Sequence, residues 1–277
     1  MIKNILKGFI IGIAKIMPGV SGSMLAICLN VYETLLDIIA NFRKMDLSKF
    51  KFLMSILVGV AFSISLFSRT VMWLLEIFYF PVMMLFIGLI LGGMPEIFGE
   101  IKGEKYKIKN ILIFSFALLF SYLLTLVGSF NAINNENEFV YFCLGLLEAF
   151  SSIVPGISGT AIYMSLGVYD MILDFFSNIF NPFYFKFAVF FGLGILVGVI
   201  LLAKFITYLL KNRKVETYFA ILGFMVFSIF VMFIQTFLKL FDGSFDSFIM
   251  FEFVMGLIFL YFGFRLTIKL NKWLTNT

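Results

Sequence analysis

The sequence predicts an all-α integral membrane protein built as an inverted-topology repeat, with six transmembrane helices plus two re-entrant helical hairpins in one domain of residues 1–277. Three observations predict it. A chain of 277 residues that is 62% hydrophobic and 13% charged, with mean hydropathy +1.06, lacks the polar surface to cover an apolar interior in water. Its apolar runs approach the roughly 20 residues that a bilayer-crossing helix needs, without the ten-residue alternation of a lipid-facing barrel. One motif also occurs twice: Pro18-Gly19-Val20-Ser21-Gly22 returns 137 residues later as Pro155-Gly156-Ile157-Ser158-Gly159. In the same register Gly8 meets Gly145, Tyr32-Glu33 meets Tyr169-Asp170, and Leu36-Asp37 meets Leu173-Asp174. Such a register marks an internal duplication, with repeats of about 1–137 and 138–277.

The elements follow in order. Ile5 to Met17 supplies 13 apolar-rich residues before Pro18-Gly19, about 20 Å of helix against a hydrocarbon core of about 30 Å. A second run, Met24 to Ile39, leads away to the basic stretch Arg43 to Lys51. The two form a re-entrant hairpin with the glycine-rich motif at its tip, where irregular backbone is tolerated only if it is buried in protein or lines a polar cavity. A secretory signal is rejected, because Lys15 and Pro18 interrupt the apolar run and the same pattern recurs at mid-chain. Spans are expected near Phe52–Leu75, Ile77–Met94 and Ile111–Phe130. A second hairpin runs from Phe139 through Pro155 to about Asp174, followed by spans near Phe187–Leu210, Tyr218–Leu238 and Phe248–Leu266. An odd number of crossings separates the hairpins, so the second enters from the opposite face and the halves are inverted.

Charge placement tests this topology. Sixteen lysines and arginines fall on the side of the N-terminus and three, Arg69, Lys186 and Lys239, on the other. The excess places both termini in the cytoplasm of a bacterial plasma (inner) membrane. The net charge of +5 follows from these loops and suits contact with anionic membrane lipids, with no nucleic-acid partner. Lys204 and Arg69 are expected to snorkel to the two surfaces. The role of Glu252 is open, and monomer and homo-oligomer are equally compatible with the chain. With no histidine, and with Cys28 and Cys143 both in apolar stretches, neither a metal site nor a cofactor is expected, and any proton relay must use carboxylates or lysine. The 40 phenylalanines and 11 tyrosines are read as packing and lipid contact.

The residues able to carry chemistry cluster at the two motifs. Gly19 and Gly22 permit close approach, Ser21 can cap the following helix or donate a hydroxyl, and Ser23 follows. Gly156, Ser158, Gly159 and Thr160 repeat the arrangement from the other face. Two converging helix N-termini together with Lys15 suit an anion, and phosphate fits. The structural alternative is that Pro-Gly turns the hairpin and Ser21 merely caps it. Lys15 lies one turn before Pro18, where an intramembrane lysine is costly unless paired or facing water; pairing with Glu148 is the competing reading. Glu33 and Asp170, with Glu148, are the candidate proton or sodium sites, against a solvated interfacial role for the first two.

The stretch Gly8 to Asp37, with Gly12-Ile13-Ala14 and Pro18-Gly19-Val20-Ser21-Gly22, and its echo at Pro155 to Gly159 and Gly167-Val168-Tyr169, resembles the bacterial polyprenyl-phosphate transporter family, formerly a domain of unknown function. The resemblance implies a flippase returning undecaprenyl phosphate from the outer to the cytoplasmic leaflet for carrier-lipid recycling in peptidoglycan synthesis. It also implies that Gly19, Ser21, Gly22, Gly156, Ser158 and Gly159 surround the lipid phosphate. The chain departs from the family pattern at Ser23-Met24, where Gly-Thr is common, at Lys15, where an acid or Asn is frequent, and at Asn30, where a glycine is expected. The strongest rival is a membrane phosphatase acting on undecaprenyl pyrophosphate through a Pro-Gly-x-Ser loop. Those enzymes follow the serine with an arginine to stabilise transition-state charge, whereas Gly22 and Gly159 stand here. A small-anion transporter and a lipid-binding structural protein complete the alternatives.

Overall fold

The computed structural model describes residues 1–16, 20–103, 107–126, 137–159, 162–163, 166–177, 181–241 and 247–275. These residues are helical, with no strand among them. The helices are α1 (Ile2–Ile16), α2 (Gly22–Cys28), α3 (Tyr32–Ala40), α4 (Leu47–Ile77), α5 (Tyr79–Glu100) and α6 (Ile108–Leu126), then α7 (Glu138–Ile153), α8 (Tyr169–Ser177), α9 (Phe185–Asn212), α10 (Lys214–Phe241) and α11 (Ser247–Thr275). Six helices, α4, α5, α6, α9, α10 and α11, are long and apolar enough to cross a membrane. They coincide with the six spans expected from sequence. Asp46 caps α4 by accepting from Lys49 N at 2.7 Å, and Asn137 caps α7 by accepting from Phe139 N at 3.1 Å, which starts both helices where the apolar runs begin.

Two boundaries differ from the sequence reading. The run Met24–Ile39 is not one helix: α2 and α3 meet at 114° across Leu29-Asn30-Val31. Asn30 occupies the left-handed region at φ 54, and its repeat counterpart Gly167 lies at φ 69. The apparent gap in the glycine pattern is thus filled by the side chain that best tolerates that conformation. Asn30→Ala should therefore lower thermal stability by about 1 kcal/mol, while Asn30→Gly should not; detergent melting curves of the two variants check this. The second difference is that α5 continues through Pro95 to Glu100. A transmembrane helix accommodates the lost hydrogen bond near its end, and the extension lets Glu100 accept from Lys214 Nζ at 2.5 Å.

Close helix crossings recur at matched sequence offsets, 137 between α1 and α7 and 135 between α4 and α9. A Cβ on Gly8 would lie 2.1 Å from Ile56 O, and one on Gly59 2.1 Å from Ile5 O. In the other half, a Cβ on Gly145 would lie 2.1 Å from Phe191 O, and one on Gly194 2.1 Å from Phe142 O. The α1–α4 crossing and the α7–α9 crossing are thus the same backbone-on-backbone contact, possible only between small residues. The third long helix of each half packs on the second of the other: Gly88 of α5 abuts Leu260 O of α11, and Gly223 of α10 abuts Phe114 O of α6.

Charged contacts gather at the two ends of the bundle. At one end Asp37 accepts from Lys49 at 2.8 Å and from Lys211 at 3.4 Å, Glu216 bridges Lys109 and Arg213, and Lys3 lies over the Trp273 ring. At the other, Lys186 pairs with Glu138 at 2.6 Å and Lys239 lies 3.8 Å from the Tyr79 ring. Each contact joins residues that the loop assignment puts on one side. Lys204 and Arg69 are exposed, as snorkelling requires, and both cysteines are free thiols.

Candidate functional site

The ends of α1 and α7 come together through a polar contact, at which the Lys15 side chain is exposed. Lys15 Nζ donates to Ser152 Oγ at 3.0 Å, and Ser152 Oγ donates to Glu148 Oε1 at 3.3 Å. Ser152 stands 137 residues after Lys15, the same spacing that separates the two copies of the glycine-rich motif. The expected Lys15–Glu148 ion pair is therefore not direct: the serine hydroxyl stands between, within one turn of Glu148 on the same helix. The ammonium keeps two donors for other partners.

Around this trio lies a cavity of about 240 Å³, walled by the first tip at Val20-Ser21-Gly22, the second at Ile157-Ser158-Gly159, and Tyr163 and Tyr169. Sequence-expected Lys15, Ser21, Gly22, Ser158, Gly159 and Glu148 thus converge on one space. Ser21 sits at the N-cap position of α2, yet its hydroxyl makes no capping bond. It contacts Ser23 Oγ at 2.7 Å and donates to Ser151 O of α7 at 3.4 Å. The capping alternative for Ser21 is thus not what its side chain does, and Ser23 is a buried neighbour behind the wall. Because α2 has only 7 residues its dipole is short, and Lys15 supplies the main attraction for an anion.

The tip glycines leave room for the polar side chains. A Cβ on Gly22 would press on Lys15 Cγ at 3.0 Å, and one on Gly159 would meet Ser151 Oγ at 2.6 Å and Glu148 Oε2 at 3.1 Å. Gly156 lies at φ 84 with its Cα against the backbone of Phe224 in α10, so both conformation and space demand glycine there. It faces a second, smaller cavity of about 70 Å³, shared with Ser158 and reaching Ser121, Thr125 and Ser228. The buried Ser121 hydroxyl has no hydrogen-bond partner among the described residues. That cavity has room for several water molecules.

Gly19 and Thr160 lie outside the described residues, and for Asp170 only the backbone at the start of α8 is described. Glu33 is not in the pocket: it is exposed, and accepts from Tyr218 Oη at 2.5 Å near the Asp37 end of the bundle. Burial of Tyr32 there is secured by its own bond to Ile153 O at 2.9 Å. Glu252 is half-buried on α11, away from the cavity. The reading from sequence missed Ser151, Ser152, Tyr163 and Tyr169 as wall residues. Ser152 was findable, since the spacing of the two motif copies leads to it from Lys15.

Six bilayer-length helices enclosing a polar cavity where two glycine-rich tips meet is the construction of a multi-pass membrane transporter. The comparisons with known proteins agree. Residues 11–243 match the VCA0040-like family model, described as undecaprenyl phosphate translocase-like, and the chain belongs to that family. The chain is 29% identical over 246 residues to a polyprenyl-phosphate transporter of Staphylococcus aureus, covering 83% of this chain and 85% of the relative. It is 25% identical over 236 residues to a polyprenyl-phosphate transporter of Vibrio cholerae, covering 80% and 74%. No solved structure matches. Membership sets the chain among translocases and not among the phosphatases that were its strongest rivals.

Proposed function

We propose that this protein moves undecaprenyl phosphate or a related polyprenyl phosphate from the outer to the cytoplasmic leaflet of the bacterial plasma membrane, returning the carrier lipid to cell-wall synthesis. The observation that carries this reading is the placement of Lys15 against Ser152, one motif spacing further along the chain, in a polar cavity formed by both tips. A cation at that position serves an anion approached from either side. Family membership and the two named relatives support the polyprenyl phosphate as that anion.

The mechanism follows from geometry and charge. The matched offsets of the glycine crossings and of Asn30 with Gly167, 137 or 135 residues, support an inverted-topology repeat in which α1–α3 and α7–α8 are re-entrant hairpins. Alternating access then consists of rocking one half against the other while the lipid phosphate stays between Lys15, Ser21 and Ser158 and the prenyl tail stays outside the polar pocket, at the apolar flank of the bundle. Gly19 and Thr160 complete the proposed set, with Asp170 and Glu33 as further proton or sodium sites. With termini cytoplasmic, the Asp37 end of the bundle faces the cytoplasm.

Lys15 and Glu148 together make the pocket neutral, so a phosphate monoester, carrying about −1.5 to −2 near neutral pH, arrives uncompensated. Protonation of Glu148 removes the nearest opposing charge, and the Ser152 hydroxyl is then released to donate to the phosphate along with Lys15. Coupling of a proton or a sodium ion is therefore placed at Glu148, which lines the cavity, ahead of Glu33, which does not.

The test is binding of undecaprenyl phosphate to purified protein by native mass spectrometry, against undecaprenol, undecaprenyl pyrophosphate and inorganic phosphate. Selective retention of the monophosphate lipid is the expected result. An equal response to inorganic phosphate would replace this reading with a small-anion transporter.

A further inference from the structure

Two apolar clefts open on the flanks of the bundle. The first, about 590 Å³, is walled by α1, α4, α5 and α11; the second, about 240 Å³, by α7, α9, α10 and α6, with Tyr32 of α3. Their walls correspond residue by residue. Val71, Leu74 and Phe86 of the first become Ile206, Leu209 and Ile221 of the second, each 135 positions on, the offset that also takes Ile56 and Gly59 to Phe191 and Gly194 in the glycine crossings. Ile13 of α1 likewise maps onto Phe150 of α7 at the motif offset of 137. In each case the remaining wall is the third long helix of the opposite half.

The clefts lie toward opposite ends of the molecule. Asp37 binds both Lys211, at the end of α9, and Lys49, at the start of α4, so those two helix ends are side by side. The second cleft occupies the C-terminal third of α9 and the first the C-terminal third of α4, whose 31 residues span about 46 Å. The accessible wall of each is apolar, which excludes a phospholipid head group. Each touches the hairpin leg that carries head-group residues: Val154 and Pro155 end the second cleft and run directly into Gly156 to Gly159, and Ile13 of the first lies two residues from Lys15.

We propose that the two clefts are alternate berths for the prenyl chain of the carried lipid, one for each leaflet, occupied at the two ends of the transport cycle while the phosphate remains at the tips. This rests on the transport reading above. The inversion of the repeat supplies the same chain-binding surface twice, pointing opposite ways, so the tail is never required to cross the polar pocket. The cycle exchanges one berth for the other.

The experiment fills the berths with Leu74→Trp, Leu209→Trp and their combination, with Leu57→Trp and Leu193→Trp as exposed positions outside both clefts. The probes are undecaprenyl phosphate and geranyl phosphate, whose two-isoprene chain is too short to depend on a cleft. The double variant should bind undecaprenyl phosphate about tenfold or more weakly and geranyl phosphate nearly normally, a loss confined to the chain. Each single variant should bind the long lipid but fail to transport it in proteoliposomes, and the outside variants should do both. Normal long-chain binding by the double variant, equal loss of both lipids, or full transport by either single variant would each overturn the proposal. Failure of the unmodified protein to bind either phosphate lipid would instead bring down the transport reading itself.

Discussion

Lys15→Ala is expected to weaken binding of undecaprenyl phosphate by about 10- to 100-fold, the loss of one charge-assisted contact, and to stop its transport. Among the described residues, only this ammonium reaches the cavity where both tips meet, donating to Ser152 at 3.0 Å. Its removal leaves hydroxyl donors facing a phosphate, with Glu148 still opposing it. Lys15→Arg keeps the charge but changes the reach, because a planar fork replaces a point charge above Gly22, and should recover binding more than transport. Glu148→Gln should act in the opposite sense: binding is retained or strengthened, and the transport rate loses its dependence on pH. The double change Ser21→Ala with Ser158→Ala should reduce transport without unfolding the protein. Normal uptake of a labelled carrier lipid into proteoliposomes by Lys15→Ala would remove the site assignment, and a pH dependence unchanged in Glu148→Gln would move the coupling elsewhere.

Gly8→Ala and Gly145→Ala should each destabilise the protein, by about 1–3 kcal/mol as for other overpacked interiors, and to similar extents. The reason is geometric: in both crossings the new Cβ would lie 2.1 Å from a backbone oxygen, and backbone cannot move aside as a side-chain end can. The pair combined should fail to assemble. Gly192→Ala is the internal control, because nothing lies within 4 Å of its added Cβ, and it should be neutral or stabilising by up to about 1 kcal/mol through helix propensity. Reaction of the buried Cys28 thiol with a fluorogenic maleimide on heating reports each melting point. Unequal effects of the two matched glycines would mean that the halves do not share one packing solution.

Much of this was legible in the residues. The six long helices follow from hydropathy, because a bilayer allows few ways to satisfy a backbone and long apolar runs take the helical one. The pocket was foreshadowed by the two copies of Pro-Gly-x-Ser-Gly and by Lys15. What local sequence could not show was the break at Asn30, since asparagine is compatible with helix interiors and with the left-handed region alike, and only the packing of α2 against α5 and α3 against α9 selects the second. The same holds for Ser21, whose position is that of a cap but whose hydroxyl is claimed by Ser23 and the Ser151 carbonyl.

Sequence by itself determined the class, the helix inventory and the spacing of the repeated motif, because each depends on composition or on register along the chain. Only tertiary structure decided that Lys15 rests on Ser152 and not directly on Glu148, that Glu33 stays with Tyr218 outside the cavity, and that matched apolar clefts flank the bundle. Those facts depend on distances between residues more than a hundred positions apart, set by how closely glycine lets one helix backbone approach another.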